Sequence, residues 1–163
     1  MVEWFEILSP DGEPAGYATR ELCHRCPALL HRVVHALVVN SHGELFLQKR
    51  SLEKDIQPGK WDTSVGGHVN PGEAPEDAVR RETEEELGFI PVELVYLYDY
   101  IWESEREREQ VRTYLCRYDG KCHPDPEEIE EGRWWTPDEI DEQLSSGIFT
   151  PNFIEEYQRY KNS

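Results

Sequence analysis

The chain predicts an α/β fold, with one mixed β-sheet covered by helices. Candidate strands and helices alternate along the sequence, and most neighbouring strands are joined by hairpin-type turns. The length, 163 residues, suits a single domain over residues 1–163 with a sizeable core.

Residues 3–8, the turn Ser9-Pro10-Asp11-Gly12-Glu13-Pro14 and residues 16–20 read as an opening hairpin. Residues 21–30 are mixed and suit a short helix or loop. Residues 31–39 are rich in branched apolar side chains and end at Asn40-Ser41-His42-Gly43, so they pair with residues 44–49 as a second hairpin. A polar loop over 51–60 holds Pro58-Gly59, and residues 61–65 lead into a glycine loop with Gly66, Gly67 and Gly72. A helix follows, with Pro75 in its first turn, Val79, Thr83 and Leu87 as its core stripe, and Gly88 as its C-cap. Residues 90–100 and 111–118 read as strands, separated by an exposed charged loop over 103–109. Residues 129–135 read as the last strand. Thr136-Pro137-Asp138-Glu139 is a capping box for a helix to about residue 146, and Thr150-Pro151 opens a terminal helix to about residue 161.

The formal net charge is −17. Such a surface repels polyanions, which argues against nucleic acid and anionic membranes as partners. A small phosphorylated substrate needs a metal or local Lys and Arg as intermediary. No apolar run approaches the roughly 20 residues needed to span a bilayer, and Met1-Val2-Glu3-Trp4 does not open a signal peptide, so a cytoplasmic protein is expected. Cys23-x-x-Cys26 raises zinc chemistry, with Cys122 and His123 as further ligands. No second C-x-x-C pair completes a ribbon, so reduced, unlinked thiols are expected.

The chemistry concentrates in residues 67–89. Glu82, Glu85 and Glu86 stand at i, i+3 and i+4, so their side chains share one helix face. Carboxylates packed that closely repel each other, and a hard divalent cation converts the repulsion into coordination. A metal beside a glycine loop suits attack of water on a phosphoanhydride.

This stretch resembles the Nudix box, G-x5-E-x7-R-E-U-x-E-E-x-G-U, where U is a bulky aliphatic residue. Gly67, Glu73, Arg81, Glu82, Glu85, Glu86 and Gly88 match every fixed position, while Thr83 and Phe89 stand at the aliphatic ones. The resemblance implies a Nudix-like α/β/α sandwich. It also implies a hydrolase holding Mg²⁺ or Mn²⁺ on Glu82, Glu85, Glu86 and the main-chain carbonyl of Gly66. Arg81 would orient a cluster glutamate by salt bridge, and Glu73 would be an orienting residue. The general base stays open between a box glutamate and Glu103, Glu105, Glu107 or Glu109, most of which are expected to be solvated. Lys49, Arg50, Lys60 and Trp61 precede the box and are the candidates for gripping substrate. Trp102, Tyr114 and Phe153 are further aromatics that suit stacking on a base or a place in the core. Nucleoside di- or triphosphates rank first as substrates.

The chain is also similar to the isopentenyl diphosphate isomerase-like Nudix subgroup. The likeness lies in the opening hairpin, in His24 and His31, in Leu45-Phe46-Leu47-Gln48-Lys49-Arg50-Ser51, and in residues 58–68. In true isomerases three histidines bind a metal, and His24, His31 and His68 fall where those sit. Two departures stand out: Gly66 holds the position of the isomerase cysteine, and the Nudix box is intact where isomerases carry a degraded one. The expectation is a hydrolase on an isomerase-like scaffold. The alternatives are an enzyme acting on isoprenoid diphosphates, isomerase-type or otherwise, and a non-catalytic nucleotide-binding module.

Overall fold

The computed structural model describes residues 2–163, so Met1 of the amino-terminal reading lies outside the described residues. Its axis is strand β3 (Leu30–Val39), ten residues of which nearly all are buried. Along one edge β3 pairs in parallel with β8 (Arg108–Arg117), from Leu30↔Arg108 to Val39↔Arg117. The other edge is shared by three antiparallel partners in turn. β1 (Trp4–Leu8) covers Leu30 and His31, β6 (Val65–His68) covers Val33 to Ala36, and β4 (Leu45–Arg50) meets only Val39. The expected hairpin of β3 and β4 therefore forms at its turn alone. Beyond it β6 takes the edge of β3, and β4 pairs along its length with β9 (Ile129–Trp135) and at its end with β5 (Trp61–Asp62). β2 (Pro14–Thr19) closes the opening hairpin on β1, and β7 (Leu94–Glu103) pairs with β8.

Strand alternation divides the core into two layers. Val34, Ala36 and Val38 pack with Phe46 and Val65 against Ala78, Val79 and Leu87 of α2 (Pro75–Leu87). Leu37, Leu45 and Leu47 pack on the other face against Ile140 of α3 (Pro137–Gln143) and Phe153 and Tyr157 of α4 (Pro151–Lys161). Helices thus cover both faces of a mixed sheet, which is the expected sandwich. A one-turn helix, α1 (Arg20–Cys23), links β2 to the loop before β3.

Local chemistry sets the helix ends. Pro75 starts α2 where no amide donor is needed, and Gly88 ends it in the left-handed region at φ 77°. Thr136 and Glu139 form the capping box of α3, and Thr150 caps α4.

Three expectations need correction. Gly66 and Gly67 lie on strand β6, not in a loop; of the three glycines only Gly72 stands in a turn. The segment 103–109 is not one long loop: a tight turn over 104–107, closed by the amide of Ser104 on the Glu107 carbonyl, joins Glu103 at the end of β7 to Arg108 and Glu109 at the start of β8. α3 ends at Gln143, short of residue 146. No helix among the described residues is long and apolar enough to cross a membrane.

Candidate active site

Gly67, Arg81, Glu82, Glu85 and Glu86 of the box line a cavity of about 1000 Å³, together with Gln48 of β4 and Asp62 of β5. Alternation along β6 decides which side each residue serves. Gly67 faces α2, and a Cβ there would stand 2.1 Å from Cδ of Glu82, so only glycine lets that carboxylate lie against the strand. Glu86, one turn further along α2, accepts a hydrogen bond from Nε2 of Gln48 at 2.7 Å. Burial first, and then the neighbouring carboxylate, push Glu86 well above the usual carboxylate range; burial also raises Glu82. Glu85 is the exposed member of the three and lies 3.4 Å from Nη1 of Arg81.

Arg81 is the organising cation. Nε and Nη2 form a fork on Glu73 at 2.9 and 3.0 Å, and Nη1 reaches Glu82 at 2.8 Å. Nη2 also donates to the backbone carbonyl of His68 at 3.0 Å. The hydrogen bond from Arg81 holds Glu73 below its ordinary range. Glu73 is fully engaged in this fork and in accepting the amide of Asn70.

A second cluster opens into the same cavity from the other face of the sheet. His24, His31 and His68 bring one ring nitrogen each within 4.8 Å of the others, and His31, Glu107 and Glu109 do the same with one nitrogen and two carboxylate oxygens. Nε2 of His24 lies 3.3 Å from Nε2 of His68 and 3.2 Å from Glu107 Oε2, without hydrogen-bond alignment to that oxygen; His31 Nε2 lies 3.5 Å from Glu109 Oε2. Both ring nitrogens of His31 and Oε2 of Glu107 are buried without a hydrogen-bond partner among the described residues. Such orphaned groups are rare in folded proteins, and one His31 nitrogen stands in the same cluster as a Glu107 oxygen. Burial lowers His24 to about 4 and His68 well below its ordinary value, while burial and then Glu109 raise Glu107 to about 7. Three clustered imidazoles, joined by two carboxylates, are a donor set for a divalent cation. Glu107 and Glu109 are therefore not the solvated charges expected of the 103–109 segment. The parallel register sets Glu109 beside His31 and turns it inward.

Of the four residues expected to grip substrate, only Arg50 lines the cavity, held by Asp62 at 3.3 Å and by the carbonyl of Ile56 at 2.9 Å. Lys49 stands on the opposite side of β4, the side of Leu45 and Leu47, and Lys60 lies just before β5. Trp61 is core, packed edge-on to Trp135 at 5.2 Å and below Phe149 and Phe153. Tyr114 and Phe153 are core as well, whereas Trp102 lines the cavity beside Lys54. The four cysteines are unlinked, and burial pushes Cys23 and Cys116 up to about 11 and Cys122 to about 12. No cysteine belongs to a metal-ligating cluster among the described residues, so zinc on Cys23, Cys26, Cys122 and His123 has no geometric basis.

One cavity residue has no counterpart in the sequence reading. His35 donates from Nδ1 toward Oε1 of the buried Glu156 at 3.0 Å. Burial works against the charged imidazole, but the hydrogen bond and charge of Glu156 outweigh it and raise the pKa of His35.

Comparison with known proteins gives one family. The model of the NUDIX domain matches residues 29–157. An uncharacterized Nudix hydrolase of Yersinia pestis is 32% identical over 154 residues, covering 94% of this chain and 83% of the relative. An isopentenyl-diphosphate Delta-isomerase of Burkholderia multivorans is 36% identical over 139 residues, covering 82% of this chain and 78% of the relative. Among solved structures, the DR0079 protein of Deinococcus radiodurans superposes with a TM-score of 0.84 at 27% identity, over 96% of this chain and 98% of that one.

Proposed function

This chain belongs to the Nudix hydrolase family, and we propose that it cleaves a phosphoanhydride bond of a nucleoside di- or triphosphate, or a related diphosphate, by attack of water. Mg²⁺ or Mn²⁺ would sit on Glu82, Glu85, Glu86 and the main-chain carbonyl of Gly66. One observation carries this reading: Glu82 and Glu86 are raised together on the cavity wall, with the single guanidinium of Arg81 shared among Glu73, Glu82 and Glu85. Such a donor set lacks positive charge, and a divalent cation supplies it.

When bound, the metal neutralises phosphate oxygens and lowers the pKa of the attacking water. The chain's own residues provide position. Arg81 fixes Glu82 through its Nη1 contact, and Gln48 holds Oε1 of Glu86. Arg50 and Lys54 on the cavity wall suit the outer phosphate. With a net charge of −17, a small phosphorylated molecule that arrives with its metal is a better partner than nucleic acid or a membrane. Four unlinked thiols, three of them buried, suit a cytoplasmic setting.

A second reading rests on the histidine–glutamate cluster. Residues His24, His31, His68, Glu107 and Glu109 fit a second metal, which would bring an isoprenoid diphosphate into consideration as substrate. Isomerisation itself is disfavoured. Gly66 has no side chain to move a proton, and no cysteine lines the cavity among the described residues. A purely binding module is disfavoured by the complete set of box glutamates.

The test is phosphate release from nucleoside di- and triphosphates, nucleotide sugars and isoprenyl diphosphates, with and without Mg²⁺, beside an assay for isomerisation of isopentenyl diphosphate. Metal-dependent release that vanishes in Glu86→Gln supports the hydrolase. Isomerisation without release would overturn it.

A further inference from the structure

His35 and Glu156 have no part in the chemistry above, yet they form a buried, hydrogen-bonded pair beside the cavity. His35, Thr113 and Tyr98 stand in one row across β3, β8 and β7, paired His35↔Thr113 and Tyr98↔Thr113. All three aim at the carboxylate of Glu156, which α4 delivers from above and which is 0% exposed. Oε1 accepts from His35 Nδ1 at 3.0 Å and from the Thr113 hydroxyl at 2.9 Å, and Oε2 accepts from the Tyr98 hydroxyl at 2.5 Å. No Lys or Arg among the described residues pairs with Glu156, so the imidazole is its counter-charge.

The clamp dictates what the other end of the ring can do. With Nδ1 committed to Glu156, the ring cannot flip without breaking a buried charge-assisted bond. Nε2 has no hydrogen-bond partner among the described residues, and the ring lines the cavity. Across the strand pair His35↔Gly66, a Cβ on Gly66 would stand 3.4 Å from Nε2. The free nitrogen therefore opens onto the floor beside Gly66. Asp62 and Glu109, the other carboxylates that act on the imidazole, repel phosphoryl oxygens, and Arg81 is taken up by Glu73, Glu82 and the His68 carbonyl.

We propose that His35, clamped by Glu156, is a substrate-binding residue whose Nε2 hydrogen-bonds a phosphoryl oxygen of the diphosphate on the cavity floor beside Gly66. Glu156 is then a positioning residue, acting only through the imidazole. The choice of a diphosphate rests on the hydrolase reading, while the contact itself is tested separately.

The probe is methylenediphosphonate with Mg²⁺, which cannot be hydrolysed at its bridging carbon. Binding to the wild-type protein should shift the ¹⁵N resonance of His35 Nε2, assigned by its loss in His35→Asn. His35→Asn should weaken diphosphonate binding about 10-fold or more, as expected when a hydrogen bond involving a charged group is lost. It should raise KM without a comparable fall in kcat. Glu156→Gln, which keeps the shape but not the charge, should shift both quantities the same way by less. An unmoved Nε2 resonance in the bound protein overturns the inference, as does equal affinity in His35→Asn or no binding to the wild type. If His35→Asn does not fold, the Glu156→Gln affinity and the wild-type spectrum, assigned through space from neighbouring protons, decide. Diphosphonate binding through His35 without turnover would sink the hydrolase reading alone. Turnover indifferent to both variants would sink this inference alone.

Discussion

Nη2 of Arg81 donates to the backbone carbonyl of His68 at 3.0 Å. That contact joins the two clusters of the cavity. The same guanidinium holds Glu73 and Glu82 on one face of β6, while the ring of His68 meets His24 and His31 on the other. Replacing Arg81 with Lys keeps a charge but loses the fork. We expect kcat/KM for the phosphoanhydride substrate to fall about 100-fold in Arg81→Lys, a loss of about 2.7 kcal/mol in transition-state stabilisation. Steady-state kinetics at saturating Mg²⁺ checks this; wild-type kinetics would show that charge alone suffices.

Glu86→Gln separates catalysis from stability. Metal-borne charge stabilisation is worth several kcal/mol, so turnover should fall by about three orders of magnitude or more. The metal-free protein should lose no stability at pH 7, because the variant removes a carboxylate that burial and Glu82 hold well above its ordinary range. The sign follows from linkage. A raised carboxylate binds more protons folded than unfolded, so its contribution is present at low pH and fades as pH rises above the unfolded value. Thermal melts at pH 5 and pH 7 should show a smaller decline for Glu86→Gln than for wild type.

Metal binding at the histidine–glutamate cluster should depend on pH through Glu107. His24 and His68 are already neutral at pH 6, since burial holds both below their ordinary range, whereas Glu107 releases its proton only near 7. Affinity for Mn²⁺ at this site should therefore rise between pH 6 and pH 8, by about 10-fold for one displaced proton. Calorimetric titration at the two pH values tests it, and Glu107→Gln should bind weakly at both with a shallower slope.

Neighbouring glycines should respond in opposite ways. A methyl at Gly67 meets Cδ of Glu82 at 2.1 Å, so Gly67→Ala must displace a site carboxylate and should cost about 1–3 kcal/mol together with most activity. A methyl at Gly66 finds its nearest neighbour, Cδ2 of His35, at 3.3 Å, so Gly66→Ala should fold within about 1 kcal/mol of wild type. Denaturant titration of both variants would expose any error in this ordering.

Trp61→Ala should behave as a core deletion. Trp61 packs with Trp135, Phe149 and Phe153, and the loss should be about 3–5 kcal/mol of stability. A variant that melts like wild type and changes only KM would return Trp61 to the substrate.

The box helix was legible because its demands are local. Glycine, arginine and glutamate at fixed spacing on one helix need no knowledge of the rest of the chain, and α2 has the bounds its Pro75 and Gly88 announce. Glu107 and Glu109 were not legible, since only the parallel register of β8 on β3 carries them to His31. Lys49 and Arg50 are adjacent in sequence, but strand alternation sends only Arg50 into the cavity. The sequence does carry a signal for the His35 clamp. Glu156 falls on the buried stripe of Phe153 and Tyr157 in α4, a place where an ionisable residue needs a partner.

The parallel pairing of β3 with β8 has a consequence for how the molecule is made. His24, His31 and His68 leave the ribosome well before Glu107 and Glu109, and the strand carrying the late pair must dock across most of the intervening chain. Pairings of such high contact order form late. The early histidines thus hold only half of the candidate cluster during synthesis, and any tight ion capture there would wait until β8 has seated. A divalent cation bound there would stabilise completed molecules over partly folded ones, and its occupancy would then report finished folding.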